Sequence, residues 1–436
     1  MLITMESAGT TMEVAGVPGD RSGVAASLPT DTDASRGMAA APLARRIAAY
    51  LVVLAGYLFY CYNFNVVDYV RPYLVSDYGF SLSQTANLSV AQNIGVTAGA
   101  FGWASFVAWA GRRRAVGAIA AAIGGAAVLQ ALATGFPLWF GVRGAMSAAL
   151  GGYYVVATGL VVALFPVGVR GRLIALNSAM YPLSNIMLGL VGGALGDARW
   201  HWLMWLGATP LLIAPVATLL VPRDPGAEPE YRPVTSAASG GWREMLSARW
   251  RWVTVGCILL SGIDFNAYQL FAGFVTLYLR QVLGYDATRI GATVAWLGTG
   301  SLGGSFFWAW VSDRFGRRSA AAGYVLAAAA IDAFLFGGLG GWALDTAALT
   351  FGIGLSCTSA WGVWFAELFP ERLRSHGAAL FHAGHIFAMG APLFIAAFSE
   401  RFGLVWIMAL GGVVYLIGAA VWLALPETLG RKAAAD

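Results

Sequence analysis

Long apolar runs recur along nearly the whole chain of 436 residues, separated by short stretches with arginine, glycine and proline. A helix needs about 20 apolar residues to cross a hydrocarbon layer of about 30 Å, whereas strands of a membrane barrel alternate between apolar and polar residues. The pattern therefore predicts an all-α membrane protein with twelve transmembrane helices in two six-helix bundles. The predicted spans are residues 44–67, 84–109, 115–134, 138–164, 174–196, 201–221, 250–279, 288–311, 319–338, 343–368, 376–398 and 403–424.

The longest internal connection divides these spans into six plus six. It runs over 222–249 and carries proline, glycine and charged residues, which are typical of a loop. We expect residues 1–43 to form a disordered cytoplasmic tail, because they lack a contiguous apolar region. The predicted units are this tail, a first bundle over 44–221, a cytoplasmic loop over 222–249, a second bundle over 250–425 and a cytoplasmic tail over 426–436.

The composition narrows the class of protein. Hydrophobic residues make up 58% of the chain and charged residues 11%, against about 25% charged in a soluble domain, which excludes a soluble enzyme. Cys61, Cys257 and Cys357 lie in separate apolar runs, so neither a disulfide framework nor a metal site is expected. The chain lacks an ATP-binding loop motif and its single lysine is Lys432. We expect no cofactor, with a proton gradient as the driving force, and no nucleic-acid partner.

Basic residues predict the orientation. With a cytoplasmic N-terminus, nineteen arginine and lysine residues near span ends fall on the inner side and five on the outer side. This bias places both termini in the cytoplasm of a bacterial inner membrane.

The two halves of the chain repeat each other. The matched pairs, 204 or 205 residues apart, are Gly111–Arg113 with Gly316–Arg318, Tyr73 with Tyr278, Phe165 with Phe369 and Arg170 with Arg374. A duplication predicts two pseudo-symmetric bundles that face each other, with a binding site near the midplane between them.

Several of these segments resemble a known family. Ala309–Arg318 after span eight is similar to the loop signature of the major facilitator superfamily, and Arg143 lies where that superfamily often has a buried arginine. Ala366–Arg374 and Pro426–Gly430 resemble its metabolite–proton symporter and sugar porter branches. The resemblance implies a secondary transporter that works by alternating access.

On this basis we expect proton-coupled symport of a small organic acid by a monomer in the lipid bilayer. A sugar or polyol symporter and a proton-coupled exporter of apolar compounds remain open. From other classes, a membrane sensor on a transporter scaffold and an intramembrane enzyme are the alternatives.

Asp264 is the leading candidate for proton coupling, with His385 as the second. A carboxylate at mid-membrane costs at least about 2.5 kcal/mol and usually marks a pathway. Asp264 lies near the middle of span seven, which the resemblance places at the central cavity, and Tyr268 follows one turn later. The competing interpretation is a structural residue paired with a neighbouring helix.

Other polar residues inside spans are candidates to line the substrate cavity. Arg143 needs an acid, backbone carbonyls or an anionic substrate as partner, and a fixed pair within the first bundle is equally compatible. His382 and His385 lack a third ligand, so metal binding is not expected. Asp68 and Arg71 lie at the predicted outer end of span one, as a solvated exit or an outer gate. The full set of cavity candidates is Asn63, Arg143, Asn177, Tyr181, Asn185, Tyr268, Trp361 and His382.

Charges after spans eight and ten predict a cytoplasmic gate in the second half. The candidates are Asp313, Arg314, Arg317, Arg318, Glu367 and Arg374. We expect a charge cluster that clamps spans eight, ten and eleven in the outward-facing state. The first half has Ala108 and Ala163 in place of the two acids, so its arginines are expected to act mainly through orientation.

Overall fold

The computed structural model describes residues 41–223, 241–370, 373–384 and 387–429. Outside these ranges lie residues 1–40 of the expected disordered tail, most of the predicted central loop, His385 and residues 430–436 of the predicted C-terminal tail. The side chain of His382 is likewise not described. The described residues form twelve spans, which we number one to twelve in chain order.

The first six spans precede the central connection and the last six follow it. Spans one to six are Leu43–Tyr78, Leu82–Ala110, Arg112–Leu132, Phe136–Leu164, Val167–Leu195, and His201–Leu206 with Pro210–Leu220. Span seven comprises Arg251–Phe271, Ala272–Phe274 and Val275–Gln281, and span eight is Ala287–Phe315. Span nine comprises Arg317–Ala321 and Ala322–Phe336, and span ten Gly341–Leu355, Ser356–Ala360 and Trp361–Glu367. Span eleven comprises Arg374–Ala383 and Gly390–Phe402, and span twelve is Leu404–Ala424.

Nine of the spans in the described part of the chain are long and apolar enough to cross a membrane. The other three are spans two, eight and eleven, which contact the opposite half: span two packs on span eleven, and span eight on span five. Small and polar residues at helix interfaces lower their hydropathy.

The duplication is visible in the backbone and in the caps. Gly79 and Gly284 have positive φ angles of 67° and 70°, and each ends a helix turn just before a new span. Ser81 and Asp286 then cap spans two and eight through hydrogen bonds from the N–H groups three residues later, at 3.1 Å and 2.9 Å. The predicted pseudo-symmetry of two six-helix bundles is confirmed at this level.

Spans one and eleven show the differences from the prediction that matter most for the site. Span one continues past residue 67 to Tyr78, so that Asp68 and Arg71 lie within the helix. The prediction ended too early because these charges and Pro72 are typical of a helix end. Span eleven was expected to be continuous, but its described residues 384 and 387–389 lie outside its two α-helical segments.

We call the side that holds Leu43 and Ala424 the termini side, and the opposite side the far side. On the far side the two halves touch closely. The backbones of spans five and eight approach so tightly that a Cβ on Gly189 would lie 2.4 Å from Gly291 O, which is possible only with glycine. The described conformation is therefore closed on the far side.

Candidate functional site

A reciprocal pair of hydrogen bonds joins spans one and seven across the far side. The Arg71 Nε donates to Gly273 O at 2.9 Å, and the Thr276 hydroxyl donates to Asp68 O at 2.6 Å. Pro72 has no N–H, so Asp68 O lacks its usual helical donor and is free to accept from the opposite half. Gly273 and Thr276 are the residues 205 positions after Asp68 and Arg71, so the two bonds are related by the pseudo-symmetry.

We call this contact between spans one and seven the seam. Asp68 and Arg71 form a buried ion pair within it. Arg71 is fully buried and donates to Asp68 Oδ1 at 2.6 Å. It also donates to Thr85 O at 2.5 Å, and its guanidinium lies 4.1 Å from the ring centroid of Phe274. The alternative of a solvated exit is therefore wrong for these two residues, and the position at the contact between halves agrees with an outer gate.

A small cavity lies beside the ion pair. It has a volume of about 30 Å³ and is lined by residues of spans one, five, seven and eight, among them Asn65, Asp68, Asn185 and Tyr268. No described residue donates to Asn65 Oδ1, Asp68 Oδ2 or the nearby Gln269 Oε1, although all three atoms are buried. Three acceptors without donors are suited to a water molecule or a proton. We call this the acceptor pocket.

Partly exposed aromatic side chains lie on spans one, four, five and seven, and one of them, Tyr268, lines that pocket. We define this aromatic cluster as Tyr60, Phe64, Tyr154, Tyr181 and Tyr268. All five side chains lie deep within spans yet keep partial exposure, and a side-chain hydrogen bond joins Tyr181 of the first half to Tyr268 of the second. Tyr181 and Tyr268 therefore connect the two halves beside the acceptor pocket, which Tyr268 lines.

Arg143 borders the aromatic cluster and binds no acid among the described residues. Its NH1 donates to Asn63 O at 2.7 Å, and its NH2 donates to Phe64 O at 2.8 Å and to Gln92 Oε1. Backbone carbonyls of span one and an amide of span two thus hold the charge, one of the predicted possibilities. The Arg143 Nε has no acceptor in the described part of the chain.

Three polar residues at intervals of four along span five, Asn177, Tyr181 and Asn185, have different surroundings. Asn177 Oδ1 accepts from the Tyr50 hydroxyl at 3.3 Å, and its Nδ2 has no acceptor among the described residues. Tyr181 joins the aromatic cluster and Asn185 lines the acceptor pocket. This face of span five therefore contacts span one and the opposite half.

Two cavity candidates point elsewhere. Asn63 donates to Gly207 O of span six at 2.9 Å and is buried inside the first half, because its amide bridges two helices of one bundle. Trp361 is fully buried and stacks on Phe365 with ring centroids 5.3 Å apart in the second half's core. Neither side chain lines the space between the halves.

Asp264 is buried as predicted, but it faces away from the seam. Its Oδ1 accepts from the Tyr324 hydroxyl of span nine at 2.9 Å. Tyr324 in turn packs on Tyr415 and Trp422 of span twelve, with ring centroids 5.0 Å and 5.4 Å away. This contact matches the competing interpretation of a residue paired with a neighbouring helix, and the sequence of span seven alone does not reveal the partner. The role of Asp264 in proton coupling stays a prediction.

Asn266, absent from the predicted site, holds the interruption of span eleven. Its Nδ2 donates to Phe387 O at 2.8 Å, and its Oδ1 accepts from Ala391 N at 2.6 Å. From the first half, Asn93 Nδ2 donates to Ala388 O at 3.4 Å. Discontinuous helices near the midplane are typical of transporter binding sites. The sequence signal for these contacts was a polar side chain in the middle of an apolar span, Asn93 in span two and Asn266 in span seven.

The charge cluster on the termini side lies within the second half. The Arg317 guanidinium donates to Glu367 at 2.8 Å and 3.0 Å and to Asp313 at 2.5 Å. Glu427, which was not predicted, accepts from the N–H groups of Arg317 at 2.9 Å and Arg318 at 2.8 Å. We call Asp313, Arg317, Glu367 and Glu427 the ion cluster.

The ion cluster joins different spans from those expected. It ties spans eight, nine and ten to the segment after span twelve, where Thr428 donates to Glu367 at 2.7 Å. Arg314 and Arg374 are exposed, and Arg318 donates to Leu423 O instead of to an acid. Span eleven is not part of the described cluster, because the carboxylates turn towards the chain end after span twelve.

Comparisons with known proteins agree with this architecture. The model of the Major Facilitator Superfamily matches residues 53–385 and 258–435. The niacin transporter NiaP of Acinetobacter baylyi is 24% identical over 381 residues, which cover 79% of this chain and 85% of that protein.

Among solved structures, a bacterial homologue of the human lysosomal transporter Spinster, in an inward-facing and unoccupied conformation, has a TM-score of 0.75 at 16% identity. The match covers 88% of this chain and 97% of that one. A D-xylose–proton symporter has a TM-score of 0.66 at 19% identity, with 88% and 99% covered. Fold, duplication and family model together show that the chain belongs to the Major Facilitator Superfamily of transporters.

Proposed function

We propose that this protein carries a small organic acid with a planar ring, in symport with protons. The observation that carries the proposal is the aromatic cluster bordered by a buried donor. Arg143 Nε lacks an acceptor among the described residues, and the NH2 group of the same guanidinium donates to Phe64 O. Aromatic side chains stack on a flat ring, and an unpaired guanidinium donor beside them suits a carboxylate.

Asp68 is the proposed proton carrier, in place of Asp264. One oxygen of Asp68 binds Arg71, while the other points to the acceptor pocket without a donor from the described residues. Arg71 also holds Gly273 of the opposite half. Protonation of Asp68 would remove the charge that fixes Arg71 and would loosen the seam, which links proton binding to opening of the far side.

The similarity to the niacin transporter of Acinetobacter baylyi supports an organic acid, since niacin is an aromatic carboxylate. A sugar or polyol is the second candidate. The acceptor oxygens of Asn65, Asp68 and Gln269 would match hydroxyl donors of such a substrate.

We further propose that the termini side faces the cytoplasm of a bacterial inner membrane, so that the described conformation is closed towards the outside. The nineteen-to-five bias of basic residues supports this orientation. All three native cysteines are buried, so new cysteines at Ser76 and Ala227 report topology. An impermeant maleimide should label Ser76→Cys in whole cells and spare Ala227→Cys; the reverse pattern would overturn the orientation.

Uptake into proteoliposomes tests the substrate. We expect a pH gradient, acidic outside, to drive accumulation of radiolabelled nicotinate. Benzoate should compete, whereas the neutral isostere nicotinamide, xylose and myo-inositol should not. Competition by xylose or myo-inositol without competition by benzoate would favour the polyol candidate and reject the organic acid.

A further inference from the structure

Two successive hydrogen bonds inside the first half lead to the acceptor pocket. The Ser184 hydroxyl of span five donates to Tyr181 O at 2.7 Å, and Asn65 Nδ2 of span one donates to Ser184 Oγ at 3.2 Å. Ser184 is fully buried and Asn65 is 3% exposed, so bulk water does not compete for these bonds. The other end of the amide, Asn65 Oδ1, belongs to a residue that lines the pocket, and no described residue donates to it.

These bonds fix which end of the Asn65 amide faces the pocket. A serine hydroxyl has one proton, and the shorter distance assigns that proton to Tyr181 O rather than to the amide. The Ser184 oxygen is therefore an acceptor towards Asn65, and the amide has to turn its NH2 group to Ser184. Its carbonyl oxygen then faces the pocket, where the reversed amide would present a donor.

Asp68 shares this pocket with Asn65. The two residues lie one turn apart on the same face of span one, and both line the cavity. Asp68 Oδ1 accepts from Arg71, whereas its Oδ2 is buried and has no donor among the described residues. The charged carboxylate leaves Oδ2 and Asn65 Oδ1 as two unpaired acceptors. A proton on Asp68 Oδ2 supplies the missing donor.

The other charged and titratable groups around Asp68 come from four spans. Arg71 of span one and Arg143 of span four are close enough for their positive charges to attract the carboxylate. Tyr181 of span five and Tyr268 of span seven are the titratable groups on those spans that interact with it. Span eight contributes only apolar side chains to the pocket lining. The two arginines therefore oppose protonation, and an acceptor for the new O–H group has to balance them.

We infer that Asn65 and Ser184 are positioning residues for the proton carrier, an inference that rests on the proposed role of Asp68. Ser184 orients the amide, and Asn65 Oδ1 accepts the hydrogen bond from protonated Asp68. Neither residue gains or loses a proton, since the proton moves only onto and off Asp68 Oδ2. The oriented amide favours proton retention and the arginines favour release, so together they set the pH at which the carrier loads.

Infrared pH titration of the purified full chain, reconstituted without substrate, tests the inference. The signal is the carboxylic acid C=O band that disappears in Asp68→Asn. Ser184→Ala frees the amide to rotate and donate to the charged carboxylate, so proton binding should weaken about ten-fold and the midpoint should fall by about one pH unit. Asn65→Leu removes the acceptor at similar volume and should lower the midpoint as well.

Three further variants separate orientation of the amide from a general disturbance of span five. Ser184→Thr keeps the hydroxyl and should restore the wild-type midpoint. Ser178→Ala removes another hydroxyl of span five, which donates to Ile174 O of its own helix, and should not move the midpoint. Ser184→Ala combined with Asn65→Leu should shift the midpoint no further than Asn65→Leu alone, because Ser184 acts through the amide.

The possible failures are distinguishable. An unchanged midpoint in both Ser184→Ala and Asn65→Leu, or a higher midpoint in Asn65→Leu, would overturn the inference and leave Asp68 as the proton carrier. A titrating band that is the same in wild type and Asp68→Asn would overturn the carrier role and the inference with it. The titration contains no substrate, so either result is independent of whether the cargo is an organic acid.

Discussion

Arginines at the termini-side ends of the two halves bind different kinds of partner. In the first half, Arg46 donates to Leu164 O at 3.0 Å and Arg170 donates to Phe165 O at 2.8 Å. These are carbonyls at the end of span four, and a helix end of this kind stabilises a cation by only about 0.3–1 kcal/mol. In the second half, Arg317 binds two carboxylates. Only the second half has acids at these two positions, Asp313 and Glu367, and they bind Arg317.

On the far side, by contrast, the two halves contact each other through equivalent positions. Asp68 and Arg71 of the first half and Gly273 and Thr276 of the second form one seam. The backbone contacts are reciprocal, but the charges occur in the first half alone. The comparison indicates that the repeat preserves where the halves touch, whereas the chemistry at each equivalent position has diverged.

The largest expected effect comes from removing the Arg317 guanidinium. Arg317→Ala leaves Glu367, which is one-third exposed, and Asp313 without their partner. We expect a loss of about 2 kcal/mol of unfolding free energy, less than the 3–5 kcal/mol of a fully buried pair. Thermal unfolding in detergent and uptake at equal expression measure it. Arg112→Ala, the matched control without acids at the equivalent positions, should cost less than Arg317→Ala, and equal losses would remove the asymmetry.

The two acids that bind Arg317 should contribute unequally to transport. Glu367→Gln loses a two-bond contact with Arg317 and the bond from Thr428, so it should strongly reduce transport. Asp313→Asn should do less, because the side chain of Asp313 is 75% exposed. Initial uptake rates at matched protein levels provide the test. A larger defect for Asp313→Asn would show that its role lies outside this cluster.

Grafting an acid into the first half sharpens the comparison. Ala163 is the buried equivalent of Glu367, so Ala163→Glu should be tolerated only while Arg112 can pair with it. A double-mutant cycle with Arg112→Ala should give a coupling of at least about 0.5 kcal/mol. Unfolding midpoints of the four proteins measure the coupling. Additive effects would mean that residues 112 and 163 do not meet as their equivalents do.

The smallest effect concerns pH. Partial burial raises the pKa of Glu427, but the N–H groups of Leu429, Arg318, Arg317 and Thr428 lower it further, so the pKa lies below its usual value. Its stabilisation is complete above the ordinary glutamate pKa and is lost as the pH falls through the lower folded-state pKa. Unfolding midpoints of the wild type should therefore fall in acid more steeply than those of Glu427→Gln. Parallel pH profiles would contradict this role.

The sequence was sufficient for the spans and the repeat, because both depend on local hydropathy and on matched segments. It failed where a side chain chooses among partners on distant spans. Asp264 turns to Tyr324 of span nine, and Asn63 turns to Gly207 of span six. The role of Pro72 also depends on a distant residue. In the sequence of span one alone, Pro72 suggests a helix end. In the structure it leaves the Asp68 carbonyl without a helical donor, and the Thr276 hydroxyl of the opposite half donates to that carbonyl.

The same limit applies to the ion cluster. Arg317 and Glu367 were predicted from their charge and spacing, and they meet. Glu427 was missed because its partners are backbone N–H groups at the start of span nine, which have no signature in the sequence.

The most direct test compares the buried acids of the two halves in proteoliposomes with a nicotinate gradient and a pH gradient. Asp68→Asn should lose uphill accumulation driven by the pH gradient and keep exchange at equal pH, because its charge can no longer control Arg71 and the seam. Asp264→Asn should keep uphill accumulation, since its carboxylate bonds to Tyr324 within one half. Uphill accumulation by Asp68→Asn at the wild-type level, or its loss only in Asp264→Asn, would contradict the account.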